Sequence, residues 1–461
     1  MASTAAAAND PRALIDNGTM NWRQWTVVAL MVALNALDGF DVLSSAFAAP
    51  GISAEWGVPR AELGIVLSAE LVGMGFGSVL LGGMADRYGR KLTMLVCLVV
   101  MAAGMYLAHS ANDVTTLTIW RFLTGIGIGG MLAATNAVVA ESTSKAWRSV
   151  SMSIYVAGYP IGAVIGGFIA QGWLLVEYDW RAVFLFGAIV TAALIPLVVL
   201  LVPETAAYHA TRRNLKGVNS TLSAFAKPEI TDLPAISASA KKPKVTDILA
   251  NPKLRPVTLL LAFGYMFHTI TFYYILKWAV QIVADHPPGY SPADAASVLT
   301  YANIGGAVGG FLFGFVMKKF GIKWPTVIML FLGSLAVILF GLGRETLEGW
   351  RWATVFTGFF TNAAITGYYA AYARGFPAYA RATGTGFVLG VGRLGAAGSP
   401  IIAGFLFTLF GNDELLAVSA IMAMGSIASL VLFLMLPEKD GDDLVAEEDA
   451  EREKAAATAA N

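Results

Sequence analysis

The stretch Gly82-Gly83-Met84-Ala85-Asp86-Arg87-Tyr88-Gly89-Arg90-Lys91 decides the fold. It crowds four charged side chains into ten positions of a chain in which only 13% of residues are charged. Apolar runs flank it on both sides, over 62–84 and 92–110, each close to the roughly 20 residues that cross a bilayer as a helix. The stretch therefore reads as a tight polar turn between two membrane spans. Gly82 lets the two helices approach, Gly89 permits the reversal, and Asp86 is placed to meet an arginine or the N-terminus of a helix.

Working outward, the whole chain follows the same plan. Of its 461 residues 56% are hydrophobic, and the mean hydropathy is +0.64. A soluble domain carries roughly 25% charged residues, so this chain lacks the means to cover itself for water. Apolar runs occupy 25–50, 62–84, 92–110, 115–140, 150–174, 182–202, 257–284, 295–317, 325–343, 351–373, 383–410 and 415–436. They are continuous rather than alternating, which predicts helices and not a barrel. The expected fold is an all-α membrane protein of twelve transmembrane helices. A cytoplasmic tail over 1–24 precedes a six-helix bundle over 25–202. A cytoplasmic linker over 203–256, containing Lys241-Lys242-Pro243-Lys244 and room for short surface helices, leads to a second bundle over 257–436. An acidic, Ala-rich tail over 437–461 is expected to be disordered. Ala46-Phe47-Ala48 resembles a leader cleavage site, but the run before it contains Asp38 and Asp41, so cleavage is not expected.

Several function classes fall away. The formal net charge is zero, from 31 basic and 31 acidic residues, which argues against a nucleic-acid binder. Cys97 stands alone and the four histidines are scattered, so neither a disulfide nor a zinc site is expected. No G-x-x-x-x-G-K-[ST] loop for ATP appears, and no nucleophile–base constellation supports an enzyme. The reading is a transporter without a cofactor.

An internal repeat supports two halves. A shift of about 232 residues places Gly82 on Gly314, Gly89 on Gly321, Trp120 on Trp352, Gly158 on Gly390 and Gly166 on Gly398. Pro203-Glu204 corresponds to Pro437-Glu438 with a shift of 234. The two bundles are thus expected to be pseudo-symmetric, an architecture found among transporters. Most Lys and Arg residues fall in the tails and in alternate loops, which predicts that both termini are cytoplasmic. Arg60, Arg181, Arg344 and Arg351 lie near the opposite ends of the spans.

Six charges lie within spans: Asp38, Asp41, Glu70, Arg121, Lys277 and Arg393. At about 2.5–3.5 kcal/mol each, they cost on the order of 15–20 kcal/mol if left unpaired. Asp38 and Asp41 share one helical face. Two carboxyls so close in a low-dielectric setting repel when both are ionised, so at least one is suited to carry a proton. The plain alternative is structural pairing with Arg121 or Lys277. Gly39 between them suits close helix approach or local unwinding. Arg121 either holds an anionic substrate or pairs with a span 1 aspartate. Lys277 attracts substrate or snorkels to the outer surface. Arg393 lies among glycines that leave room around it. Glu70 pairs within the bundle or acts in function. His268 and Tyr273, with Phe272 and Tyr274, suggest a cavity face suited to a polar aromatic ring; Tyr273 occupies the repeat position of Asp41. Tyr368, Tyr369 and Tyr372 are a weaker version of the same pattern.

The 82–91 stretch resembles the G-x-x-x-D-[RK]-x-G-[RK]-[RK] signature of the major facilitator superfamily. Its second copy runs from Gly314 to Lys323, with Lys318 in place of the acid. Glu141 and Arg148, seven apart, resemble the inner-face Glu/Arg relay of that family. Gly158-Tyr159-Pro160-Ile161-Gly162 resembles its Gly/Pro-rich fifth helix, and Arg374 through Arg381 a degenerate second relay. Asp38-Gly39-Phe40-Asp41 is similar to the D-G-[FY]-D pattern of the aromatic acid:proton symporters. The resemblance implies that two bundles enclose a central site exposed alternately to each side. It implies that Asp38 and Asp41 are needed for proton-coupled uptake. It also places Arg121, Glu141, Arg381 and Arg393 where family members carry important charges.

The expected function is proton-coupled import of a small aromatic carboxylate across the inner membrane. Arg121, Arg393, Lys277, Tyr273 and His268 are the candidate substrate residues. Asp86, Arg87, Arg90, Glu141, Arg148 and Arg381 are the candidate cytoplasmic gate. The expected partners are the substrate, protons and the lipid bilayer, with the protein a monomer. A non-aromatic or dicarboxylic anion, efflux, or a non-transporting sensor are the alternatives.

Overall fold

The computed structural model describes residues 10–233, 244–377, 379–411, 414–438 and 440–446. Among them the chain is helical throughout, without a strand. A short α1 (Pro11–Asn17) comes first. Six long helices follow: α2 (Trp22–Trp56), α3 (Arg60–Tyr88), α4 (Arg90–His109), α5 (Val114–Ser142), α6 (Lys145–Ile169) and α7 (Arg181–Leu201). A π-helical turn, Ala170–Leu174, and the turn Leu175–Glu177 extend α6. Three short helices, α8 (Ala206–Thr211), α9 (Leu215–Ala224) and α10 (Val245–Ala250), occupy the linker. Six long helices complete the chain: α11 (Leu254–Asp285), α12 (Pro292–Phe320), α13 (Lys323–Phe340), α14 (Leu347–Gly375), α15 (Arg381–Phe410) and α16 (Leu415–Leu434). Eleven of the twelve long helices are apolar enough to cross a membrane by hydropathy. The exception, α14, has the length but is diluted by Thr, Asn and Tyr side chains.

The twelve expected spans all appear, and several run longer than their apolar cores. Caps and turns set their ends. Asn21 and Gln24 form a reciprocal capping box at the start of α2, and Gly57 ends that helix in the left-handed region with φ +59°.

Contacts divide the chain into two compact units. The N unit comprises the described residues of Met1–Val58 and Ile65–Ala238; the C unit comprises Pro59–Gly64 and the described residues of Ser239–Asn461. The first turn of α3 thus packs with the C unit and the rest with the N unit. In the N unit α2 packs on α6, and α4 on α5 and α7. In the C unit α11 packs on α15 and α16, and α14 on α12 and α13. The repeat extends to backbone contacts. A Cβ on Gly73 would lie 2.1 Å from the Phe122 carbonyl of α5, and one on Gly305 2.1 Å from the Val355 carbonyl of α14. Small residues at these crossings let the backbones meet.

Of the two tails, the first carries a short helix and the second departs in part from the expected disorder. Residues 11–17 fold as a helix capped by Asp10, whose carboxylate accepts from the Arg12 amide. The tail after Pro437 is not wholly irregular: 441–446 are helical, because Leu444 is apolar enough to enter the core of the C unit. Lys241-Lys242-Pro243 and the end of the acidic tail lie outside the described residues.

Candidate functional site

The N unit holds a buried charge cluster. Asp38 and Asp41 on α2 are both 0% exposed. Gly39 produces this burial, since a Cβ there would lie 2.1 Å from the Tyr159 carbonyl of α6. The helix runs unbroken through the site, so Gly39 serves close approach and not unwinding. None of the four carboxyl oxygens of Asp38 and Asp41 takes part in a hydrogen bond among the described residues. Buried polar atoms are normally satisfied, so this pair is exceptional.

Arg121 on α5 is equally buried and densely engaged. Its Nε donates to Ser45 Oγ at 2.8 Å and its Nη2 to the main-chain carbonyl of Asp41 at 2.9 Å. Nη1 lies 2.8 Å from Met105 Sδ, and the guanidinium stands 5.1 Å from the centre of the Phe184 ring. Its ion-pair partner is Glu70 on α3, not the carboxylate of a span 1 aspartate. Helix packing explains the choice. A Cβ on Gly125 would lie 2.0 Å from the Glu70 carbonyl, so α3 and α5 meet at the level of these two side chains. Ser45 joins the network by donating to Glu70 Oε2 at 3.2 Å. Ser45 was missed in the sequence, although it follows Asp41 by four positions on the same helical face.

The C unit answers with aromatic hydroxyls. Arg393 on α15 is half-buried and interacts electrostatically with Tyr273, Tyr265 and Tyr369. Gly392 makes the room: a Cβ there would lie 2.2 Å from the Tyr265 ring. Tyr265 was also missed; it precedes Tyr273 by eight residues, two turns along one face. Its ring centre lies 6.3 Å from Tyr369 and 5.7 Å from Tyr372. Tyr369 is half exposed, whereas Tyr368 and Tyr372 are core residues. His268 is occupied: Nδ1 lies 2.8 Å from Ser426 Oγ and Nε2 2.9 Å from the Thr361 carbonyl, leaving no ring nitrogen for a ligand. Lys277 is 0% exposed, which removes the snorkelling account.

A third cluster caps the loop end of the N unit. Arg90 pairs with Asp86 at 3.1 Å and with Glu141 at 3.0 Å. Arg148 pairs with Asp16 of α1 and donates to the Thr143 carbonyl at 3.2 Å, so a direct Glu141–Arg148 pair is not the arrangement found. The physical reason is α1: Arg12 donates to the carbonyls of Ala140 and Glu141 at 3.0 Å each, and Asp16 draws Arg148 away. Glu204 accepts from the amides of Arg90 and Lys91 at 3.0 and 3.1 Å, capping α4. Gly89, at φ +106°, gives the carboxylate access. The guanidinium of Arg87 stands 5.3 Å from the centre of the Tyr88 ring, and its main-chain carbonyl accepts from Arg212. Arg381 is exposed at the start of α15.

Comparison with known proteins agrees with this plan. The family model described as Major Facilitator Superfamily matches residues 29–342 and 261–459. The gallate transporter of Pseudomonas putida is 30% identical, over 90% of this chain and 95% of its own. The 4-hydroxybenzoate transporter PcaK of Acinetobacter baylyi is 28% identical, over 94% of this chain and 95% of its own. The xylose transporter XylE from E. coli shares the fold, with a TM-score of 0.68 at 13% identity over 90% of this chain and 98% of that one.

Proposed function

The chain belongs to the major facilitator superfamily, and on that premise we propose that it imports an aromatic carboxylate together with protons. It is a multi-pass membrane transporter and not an enzyme. Two full-length relatives named for hydroxylated aromatic acids support the substrate class. The observation that carries proton coupling is the pair of fully buried carboxyls, Asp38 and Asp41, neither of which has a hydrogen-bond partner among the described residues. A buried carboxyl without donors is far cheaper neutral than charged.

The geometry suggests how protons act. Asp41 is electrostatically coupled to Arg121. When Asp41 is neutral, Arg121 stays with Glu70. When Asp41 ionises, two carboxylates compete for one guanidinium, and the network must rearrange. Arg393 with Tyr265, Tyr273 and Tyr369 supplies a cation and ring faces for the substrate. The gradient drives the cycle without a cofactor, in an inner membrane, with both termini cytoplasmic and the chain acting as a monomer. The second buried cation of the C unit, Lys277, favours a doubly charged anion as the second reading.

Uptake into proteoliposomes under an imposed pH gradient tests the proposal. Radiolabelled 4-hydroxybenzoate should accumulate, and a protonophore should abolish accumulation. Concentrative uptake that survives the protonophore refutes proton symport. Competition by aliphatic dicarboxylates stronger than by aromatic acids selects the second reading.

A further inference from the structure

A cavity of about 380 Å³ opens in the C unit at the Asp285 end of α11. Small-molecule sites run from roughly 300 to 1,000 Å³, so the cavity has room for one substituted ring. It is separate from the Arg393 cluster: Gln281, in its wall, follows Tyr273 by eight residues, about 12 Å of helix rise.

The floor is aromatic. Trp278 and Phe407 are buried, with ring centres 5.2 Å apart and planes inclined by 44°. Trp278 Nε1 donates to the Pro400 carbonyl at 3.1 Å, which fixes the indole. Leu416 closes one side and is 43% exposed. The wall is polar. Arg60 pairs with Asp285, and Gln281 Nε2 donates to Asp285 Oδ2 at 2.9 Å. That carboxylate fixes the amide orientation, because only the nitrogen can donate to it. The other end, Gln281 Oε1, is then a buried acceptor without a hydrogen-bond partner among the described residues, on a side chain only 2% exposed. An acceptor so placed calls for an O–H or N–H donor. A guanidinium carries five N–H donors, so a ligand carboxylate can share Arg60 with Asp285.

We propose that this cavity is a second binding site, for a single-ring aromatic carboxylate bearing a hydroxyl group. The ring lies on Trp278 and Phe407, the hydroxyl donates to Gln281 Oε1, and the carboxylate faces Arg60. The ligand class rests on the transport reading above; the presence of a second, donor-seeking site rests on the cavity itself. With the termini cytoplasmic, the site faces outward and gathers substrate ahead of transport.

Equilibrium binding of labelled 4-hydroxybenzoate to the purified full chain tests this. The wild type should bind two molecules per chain. Leu416→Trp, which obstructs the cavity from an exposed position, should bind one, and the retained site reports a folded protein. Gln281→Met should weaken the second site about tenfold and leave the first unchanged. Benzoate, which lacks the hydroxyl, should occupy one site. A wild type that transports the acid yet binds one molecule, or a Leu416→Trp protein that still binds two, overturns the second site and leaves the transport reading standing. A wild type that neither binds nor transports aromatic acids overturns both.

Discussion

Position 41 in the N unit is an aspartate; 232 positions later, in the C unit, the repeat places Tyr273. The same substitution of chemistry runs through both bundles. Arg121 is sealed at 0% exposure against Glu70, Ser45 and the backbone of Asp41. Arg393 is half-buried and interacts electrostatically with the phenols of Tyr273, Tyr265 and Tyr369. The helix plan is shared, down to the equivalent contacts of Gly73 and Gly305. What differs is what the plan holds in place: acids that can exchange a proton in one unit, and a cation with aromatic surfaces in the other. On the proposed function, a duplicated scaffold divides energy coupling from recognition.

The largest effect should come from removing the acids. Asp41→Asn and Asp38→Asn should each reduce gradient-driven accumulation roughly a hundredfold, the scale on which lost proton-transfer groups act. Tyr273→Phe, at the equivalent position, should retain accumulation and raise the KM for substrate. Full accumulation by both Asn variants would break the division between the units.

Stability should separate the two arginines next. Glu70→Gln strands a buried guanidinium and should cost about 3–5 kcal/mol, read as a lower melting temperature in detergent. Arg393→Gln should cost about 1 kcal/mol, the scale of ordinary hydrogen bonds, and act mainly on substrate affinity. Equal losses in the two variants would mean that Arg393 is as structural as Arg121.

The repeat-matched glycines sharpen the contrast further. A Cβ on Gly166 of α6 would lie 2.2 Å from the Phe40 ring, whereas one on Gly398 of α15 would have its nearest neighbour at 3.8 Å. Gly166→Ala should therefore destabilise by about 1–3 kcal/mol through overpacking. Gly398→Ala should be neutral or stabilise by up to about 1 kcal/mol through helix propensity. Thermal unfolding of the two variants checks both signs.

Much of this was legible in the sequence, and the limits have physical causes. Eleven of the twelve spans follow from hydropathy, because a bilayer imposes a length on every helix, and α14 has the length without the hydropathy. The Asp38/Asp41 pair is conspicuous because charges are rare there. Pairing was not legible. Glu70 and Arg121 are far apart in the chain, and only the α3–α5 crossing at Gly125 brings them together. The Arg148–Asp16 contact depends on α1, a seven-residue helix too short and polar to register among apolar runs. His268 looked like a ligand because a buried histidine between aromatics gives no sign that Ser426 and Thr361 already occupy it.

The smallest effect concerns the caps of α5 and α14, which stand 233 positions apart. Asp113 caps α5: its carboxylate accepts from the Thr116 amide and from the Thr116 hydroxyl, at 2.9 Å each. Thr346 caps α14, its hydroxyl accepting from the Gly349 amide at 3.1 Å. The Thr116 amide first, and then its hydroxyl, hold the Asp113 carboxyl below its ordinary value of 3.8. Folding therefore favours the ionised form. The cap's contribution is present in full above that ordinary value and is lost as pH falls through the lower folded-state value. Thr346 has no group that titrates there. Hydrogen exchange, corrected for intrinsic rates, should show protection of the Thr116 amide falling with acid while that of Gly349 holds. Asp113→Thr should make the two caps alike and remove the acid sensitivity; Asp113→Asn should keep the bond and lose the titration. If protection at Gly349 falls together with that at Thr116, the loss belongs to general acid unfolding, and the two caps do not differ in the way their side chains require.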